Sequence, residues 1–245
     1  MILQLISDLH LEKIIKNKDI NGLDYITPTG EILILNGDIS SLYLLPSLLS
    51  FLNSIKEYFK WIIYVPGNNE FYTQKNIKPL PLNTLYKRLY SLKDNITNLI
   101  ILDNSYVIID DIILCGSTLW SYIHYELPNF VKIHNFTMKE YNYKNLIAKR
   151  FIKNVIDLAN QMNKKLVMIT HYPPSKRCLT EDKKRFYYNK LYYNNLDYLF
   201  DNDILWLFGH THVNKDIKIK NTRIISNQKG KKSYKEYQKN FTLKI

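Results

Sequence analysis

Four of the six histidines stand in short polar clusters together with acids and amides: Ser7-Asp8-Leu9-His10, Gly37-Asp38, Gly67-Asn68-Asn69-Glu70, Thr170-His171-Tyr172-Pro173 and Gly209-His210-Thr211-His212. Asp8 and His10 are two residues apart, as are His210 and His212. In an extended segment that spacing puts both side chains on one side, whereas on a helix they would diverge. Gly37, Gly67 and Gly209 each precede a candidate ligand, where a residue without Cβ lets the backbone turn sharply and approach an ion. Carboxylate, amide and imidazole donors without thiolates suit manganese, iron, zinc or nickel rather than a Cys-rich structural zinc site. The donors divide between two ions: Asp8, His10 and His212 on one, Asn68, His171 and His210 on the other, with Asp38 bridging. Two divalent cations against two carboxylates leave a positive centre that attracts phosphate and holds a bridging hydroxide as nucleophile. Ions about 3.5–4 Å apart can stabilise both the attacking and the leaving oxygen of an in-line displacement. The expected chemistry is phosphoester hydrolysis with two divalent metal ions, manganese first among them.

Each cluster directly follows an apolar run: Ile2 to Ile6, Ile32 to Leu35, Trp61 to Val65, Leu166 to Ile169, and Ile204 to Phe208. These runs, with Ile112 to Cys115, read as buried strands. Helical spacing lies between them, in Leu45, Leu48, Leu49, Leu52, Ile55 and Phe59, in Leu82, Leu85, Tyr86 and Leu89, and in Ile147, Phe151, Val155, Leu158 and Met162. Strand and helix therefore alternate, and in open α/β sheets ligands bind outside the carboxyl ends of the strands. Residues 98–115 and 217–226 leave no room for a helix and read as hairpins, with 241–245 as a last strand, so the sheets are mixed. No Ser, Gly or Pro-rich linker divides the chain, and residues 1–245 are expected to form a single domain.

The segments SDLHLE, GDI, GNNE, THYPP and GHTH, in that order, resemble the calcineurin-like metallophosphoesterase superfamily, whose pattern is DxH, GD, GNH followed by D or E, H, and GHxH. The resemblance covers about residues 1–230, because Gly116-Ser117-Thr118-Leu119-Trp120 and residues 222–230 also look like small single-domain members. It implies a four-layer α/β sandwich, two mixed β-sheets flanked by helices with the metal site at strand C-terminal ends, and the same ligand assignment. It also implies catalytic parts for Asp38, for His171 and for position 69. There the sequence departs: the family's GNH histidine, which assists the leaving group or orients the phosphate, is Asn69. An amide can hydrogen-bond but cannot act as an acid at neutral pH, and loss of a general acid costs about 10²- to 10⁴-fold, most with poor leaving groups. The expected activity is therefore metal-dependent phosphoric ester hydrolysis favouring phosphodiesters or anhydrides over monoesters. His124, His134 and Tyr172 are candidates for a substitute acid, although His124 and His134, lacking a partner motif, read first as surface or groove residues. The alternatives are a phosphomonoesterase or protein phosphatase, a nucleic-acid-binding protein with a structural metal site, and a scaffold that has lost catalysis. Scaffolds are marked by eroded ligands, and here all seven are present.

The 245 residues, 46% of them hydrophobic, suffice for a substantial core, and 34 basic against 22 acidic residues give a charge of +12 that permits a polyanionic partner such as a nucleic acid or nucleotide. The longest apolar stretch, around 42–52, is broken by Pro46 and serines, so no membrane span is expected. Without a basic n-region at the N-terminus, and with two cysteines that form no CxxC pair, a cytoplasmic location is expected. Cys115 reads as a core residue and Cys178 as an unreactive loop residue. Between His171 and Gly209 runs a basic and aromatic stretch with Lys176, Arg177, Lys183, Lys184, Arg185, Tyr187, Tyr188, Tyr192 and Tyr193. It must begin and end near the metals, and it reads either as a phosphate-steering, base-stacking rim or as a solvated face. Tyr172, Lys176, Arg177 and Arg185 are the candidate substrate contacts. Lys229, Lys231, Lys232, Lys235 and Lys239 read as a solvated face.

Overall fold

The structure, a computed structural model, describes residues 1–13, 19–74, 76–129, 131–185, 187–230 and 236–245, without the side chains of Lys183 and Arg185. In chain order the strands are β1 (Ile2–Ile6), β2 (Ile32–Asn36), β3 (Trp61–Val65), β4 (Leu99–Ile101), β5 (Ser105–Ile109) and β6 (Ile112–Ser117). They continue with β7 (Lys165–Thr170), β8 (Ile204–Phe208), β9 (Asp216–Ile219), β10 (Thr222–Ile225) and β11 (Thr242–Lys244). The helices are α1 (Leu45–Ile55), α2 (Leu82–Ser91), α3 (Met138–Met162) and α4 (Glu181–Arg185).

Two sheets form, in the orders β11-β1-β2-β3-β4 and β5-β6-β7-β8-β10-β9. The central strands of both are parallel, and antiparallel pairing is confined to β11 in the first sheet and to β5 and β9 at the edges of the second. Because successive strand residues point to opposite faces, each apolar run serves two cores. Leu3, Leu5, Ile32, Ile34, Ile63 and Val65 meet Leu114, Val167, Ile169, Leu207 and Ile225 between the sheets. The alternate residues, among them Leu33, Leu35, Ile62, Met168 and Trp206, join the cluster that holds Leu48, Phe51 and Leu52 of α1, Leu85 and Leu89 of α2, and Ile152 and Val155 of α3. The result is the expected four-layer sandwich of two mixed sheets between helices. Strands buried on both faces read as continuous apolar runs, which is why they were visible in the sequence.

Local chemistry sets the helix ends. Pro46 occupies the first turn of α1, where its missing N–H costs nothing. Thr137 and Glu140 form a reciprocal capping box at the start of α3, and Asn163 ends that helix in the left-handed conformation. The capping box extends α3 nine residues upstream of Ile147, where the apolar spacing places its first contact. Residues 217–226 form the expected hairpin of β9 and β10. In residues 98–115 the expectation holds only for β5 and β6, because β4 pairs parallel with β3 in the other sheet. The chain crosses between sheets at 102–104, a change of partner that local pattern does not encode. Among the described residues no helix is long and apolar enough to cross a membrane.

Candidate metal centre

The loops leaving β1, β2, β3, β7 and β8 bring the polar clusters together at the C-terminal strand ends. They are not extended: Asp8, His10, Asp38, His210 and His212 all have positive φ, between 50° and 68°. Asp8 and His10 thus reach one donor group through left-handed backbone rather than the straight segment the spacing suggests, while His210 and His212 go to different groups. Non-glycine residues in that region are uncommon and cost about 1–3 kcal/mol each, strain that surrounding packing must hold in place. Gly37 is one reason it holds. Its φ is +78°, and a Cβ there would collide with the His171 imidazole.

Two groups of donor atoms converge, Asp8, His10, Asp38 and His212 in one and Asp38, His171 and His210 in the other, each with its atoms within 4.8 Å of one another. In the first, His10 Nε2 and His212 Nε2 face each other at 2.9 Å, with Asp8 Oδ1 at 3.3 Å from His212 and Asp38 Oδ2 at 3.6 Å from His10. In the second, His171 Nε2 lies 3.2 Å from Asp38 Oδ1 and 3.2 Å from Asn68 Oδ1. The two oxygens of Asp38 therefore point at different groups, as a bridging carboxylate would.

The partners on the far side of the rings decide where the imidazole protons sit. His10 Nδ1 is 2.9 Å from Glu12 Oε1, His171 Nδ1 is 3.0 Å from the Asn36 carbonyl, and His210 Nε2 is 2.9 Å from the Leu191 carbonyl. Carbonyls and carboxylates only accept, so these nitrogens carry the hydrogens and the opposite lone pairs of the neutral rings face inward. Lone pairs of imidazole, carboxylate and amide aimed at one another repel unless a positive charge lies between them. The donor set fits divalent cations on that ground.

The site's electrostatics agree. Burial alone would raise the Asp38 carboxyl, but His171 and its neighbours hold it well below the usual range. Burial would lower His171, and Asp38 overrides it, raising the imidazole to about 9. His210 goes the other way: burial and the nearby His171 push it down to about 3, leaving a neutral donor. The carboxylates thus demand positive charge. Protons supply it to the metal-free protein, and a cation binding here must displace them.

Asn69 does not project as a free amide. Its backbone N–H donates to Asp38 Oδ1 at 2.8 Å and its side-chain Nδ2 to Asp38 Oδ2 at 2.5 Å. Glu70, to which the sequence reading gave no part, is fully buried and accepts from the N–H groups of Asp38 (2.9 Å), Gly67 (2.8 Å) and Ile39 (2.8 Å) and from the Tyr64 hydroxyl (2.9 Å). One carboxylate thereby ties the loop after β2 to the loop after β3. Its signal was an acid in an otherwise polar loop following an apolar strand. Gln228 was also missed. Its Oε1 accepts from the His212 N–H at 2.6 Å while its Nε2 donates to Thr211 Oγ1 and the Val213 carbonyl, bracing the loop after β8 from a distant segment.

The remaining candidates are dispersed. Tyr172 is buried and stacks on the His210 ring at 3.9 Å, so it supports a ligand rather than facing solvent. Lys176 and Arg177 are exposed on the turn Lys176–Cys178, where Arg177 Nε lies 3.5 Å from Asp197. The side chains of Arg185 and Lys183, and Lys231, Lys232 and Lys235 altogether, lie outside the described residues. Lys239 is exposed as expected, but Lys229 is half-buried, its Nζ 3.4 Å from the Leu9 carbonyl and over the Tyr25 ring. That corrects its reading as solvated face: Lys229 N–H pairs with the Ser7 carbonyl, which draws the side chain in behind the loop after β1. His124 is exposed against Tyr122, and the backbone of His134 bridges to Pro81; neither joins a donor group. Cys115 and Cys178 are buried free thiols, and burial pushes both upward, Cys178 to about 12, so neither has nucleophilic character.

Comparison with known proteins places these features in a wider set. The family model for calcineurin-like phosphoesterases matches residues 4–214. An uncharacterized protein of Acanthamoeba polyphaga mimivirus is 30% identical over 274 aligned positions, covering 98% of this chain and 94% of its own. Among solved structures, the phosphopantetheinyl hydrolase of Mycobacterium tuberculosis superposes with a TM-score of 0.62 at 15% identity, over 93% of this chain and 89% of that one.

Proposed function

The chain belongs to the calcineurin-like phosphoesterase family, and from that premise we propose that it is a binuclear metal-dependent hydrolase acting on phosphodiesters or phosphoanhydrides in preference to monoesters. Asp8, His10 and His212 would hold one divalent ion, Asn68, His171 and His210 the other, and Asp38 both. Manganese suits this set of oxygen and imidazole donors without thiolate. When bound, the ions would supply the Lewis acidity that polarises a phosphoryl oxygen and makes water nucleophilic at neutral pH.

The protein's own groups supply geometry. The Asn36 and Leu191 carbonyls and Glu12 fix the tautomers of three imidazoles, so that the neutral ring presents its lone pair on the inward nitrogen. Asn69 clamps Asp38 through two N–H groups, and Glu70 anchors the backbone on which Asp38 stands. The observation that carries the diester preference is this use of Asn69. At the position where a family histidine serves the leaving group, the side chain has no acidic proton, and its amide is committed to Asp38. Expulsion of the leaving oxygen then depends on its own low proton demand. The apolar core shared between the two sheets supports one domain over residues 1–245, and two buried free thiols are consistent with a cytoplasmic location.

The test is hydrolysis of an aryl phosphodiester beside the matching aryl monoester by metal-stripped protein reloaded with Mn²⁺, with Asp38→Asn as control. Diester turnover well above monoester turnover, lost in the control, is the expected result. Protein that binds two metals and hydrolyses neither would refute the assignment.

A further inference from the structure

Next to the donor groups lies an aromatic surface that the metal chemistry does not use. Tyr125, Tyr187 and Tyr188 contact one another, with ring centroids 6.2 Å apart for Tyr125 and Tyr187 (29° between planes), 5.3 Å for Tyr125 and Tyr188, and 4.8 Å for Tyr187 and Tyr188. Tyr187 is 77% exposed and, among the described residues, joins neither apolar core. Tyr125 and Tyr188 are half-buried and packed against the helix-side core, and they hold the exposed Tyr187 ring with its face open to a planar ligand.

This surface is joined to the metal centre by one short turn, Asn189–Tyr192. The Tyr188 carbonyl accepts from Leu191 N–H at 2.9 Å, and the Leu191 carbonyl accepts from His210 Nε2 at 2.9 Å. Tyr192 then closes on the His210 ring at 5.5 Å. One turn therefore holds both a candidate metal ligand and the support of the open Tyr187 ring. Positive charge accompanies them. Lys190, on the same turn, lies over the Tyr193 ring at 5.2 Å, and burial, followed by the Lys190 ammonium, lowers Lys149 on α3. Bases present flat π-faces to aromatic side chains irrespective of sequence, while the linking phosphates seek cations, and single-strand binding sites combine the two.

Resting on the phosphodiester reading above, we infer that the substrate is a single-stranded nucleic acid whose bases stack on Tyr187 and Tyr188 while an adjacent internucleotide phosphate reaches the metal centre. Hydrolysis there adds water across the P–O bond, giving one product with a terminal phosphate and one with a free hydroxyl. No oxidant or further reactant is needed. The stacking surface fixes which phosphate is presented without reading sequence.

The experiment measures binding of metal-loaded protein to a short, end-labelled phosphorothioate oligonucleotide by fluorescence anisotropy, beside an abasic chain of the same length and charge. Tyr187→Ala and Tyr188→Ala should each weaken oligonucleotide binding about fivefold or more, as expected for loss of one base–aromatic stack, and leave the abasic chain unaffected. Tyr187→Phe should bind like the parent protein. Because Tyr187 is so exposed, its variants test the surface without endangering the fold. Equal affinity for base-bearing and abasic chains, unchanged binding in Tyr187→Ala, or no oligonucleotide binding at all would overturn the inference. Aryl diester hydrolysis by the same preparation separates the two failures. Turnover without base-dependent binding removes the nucleic-acid inference alone, whereas base-dependent binding without turnover removes the phosphodiesterase reading.

Discussion

Replacing Glu70 by Gln should loosen the metal centre without altering a single ligand. Glu70 receives four hydrogen bonds, Oε2 from the N–H groups of Asp38 and Gly67, Oε1 from Ile39 N–H and the Tyr64 hydroxyl. Glutamine keeps the shape but turns one acceptor oxygen into a donor. With its oxygen placed toward Asp38 and Gly67, the new NH₂ faces Ile39 N–H. Tyr64 can rotate its hydroxyl to accept, but a backbone N–H cannot. The other orientation is worse, because two N–H groups lose their acceptor. The cheaper arrangement leaves one buried donor unsatisfied, costing about 1–3 kcal/mol, which in a chain of this size lowers the melting temperature by about 2–12 °C. The same defect sits on the backbone that carries Asp38, so Mn²⁺ affinity should fall about 10- to 100-fold, the range for lost support behind a ligand. Calorimetric titration with Mn²⁺ and thermal melts read the two effects. They should be run at pH 8, since burial and the neighbouring Asp38 carboxylate push Glu70 up to about 7 and a protonated acid would resemble the amide. Unchanged melting temperature together with unchanged Mn²⁺ affinity would refute the bracing argument.

Three further outcomes follow from named contacts. Asn69→His should raise turnover of an alkyl monoester more than that of a diester, by about 10-fold or more if the imidazole becomes an acid; an equal rise for both substrates in parallel steady-state assays would contradict the diester preference. Gly37→Ala should lower metal occupancy, measured by elemental analysis of purified protein, because φ is +78° and the added Cβ meets the His171 imidazole and Gly67 N; full occupancy would contradict the close approach. Burial raises the carboxyl of Asp103, whose Oδ2 accepts from the Tyr86 hydroxyl at 2.9 Å. A raised folded value means the native state holds this proton more tightly, so its contribution is full below the unfolded value near 4 and is lost as pH rises through the folded value. Denaturant melts across that window should show Asp103→Asn losing the fall in stability that the parent protein shows, and identical pH slopes would refute the assignment.

The sequence by itself determined the parts and their order. Central parallel strands buried on both faces must be continuous apolar runs, so β1, β2, β3, β7 and β8 were legible, and so were the polar loops that follow them. Candidate donors were legible for the same local reason: Asp8, His10, Asp38, Asn68, His171, His210 and His212 stand out by side chain and position. Tertiary structure alone decided what those loops do to one another. That β4 leaves the hairpin register to join the first sheet is a long-range choice of partner, as is Gln228 bracing a loop sixteen residues before it. The left-handed conformation of five site residues is tolerated by their types, since Asp and His enter that region more often than other residues with a Cβ, but which of them adopt it is decided by the packing that drives the loops together. Asn69 shows the division most plainly. Its identity alone removes a general acid, but its use as a clamp on Asp38 exists only because the loop after β3 folds over the loop after β2, held there by Glu70.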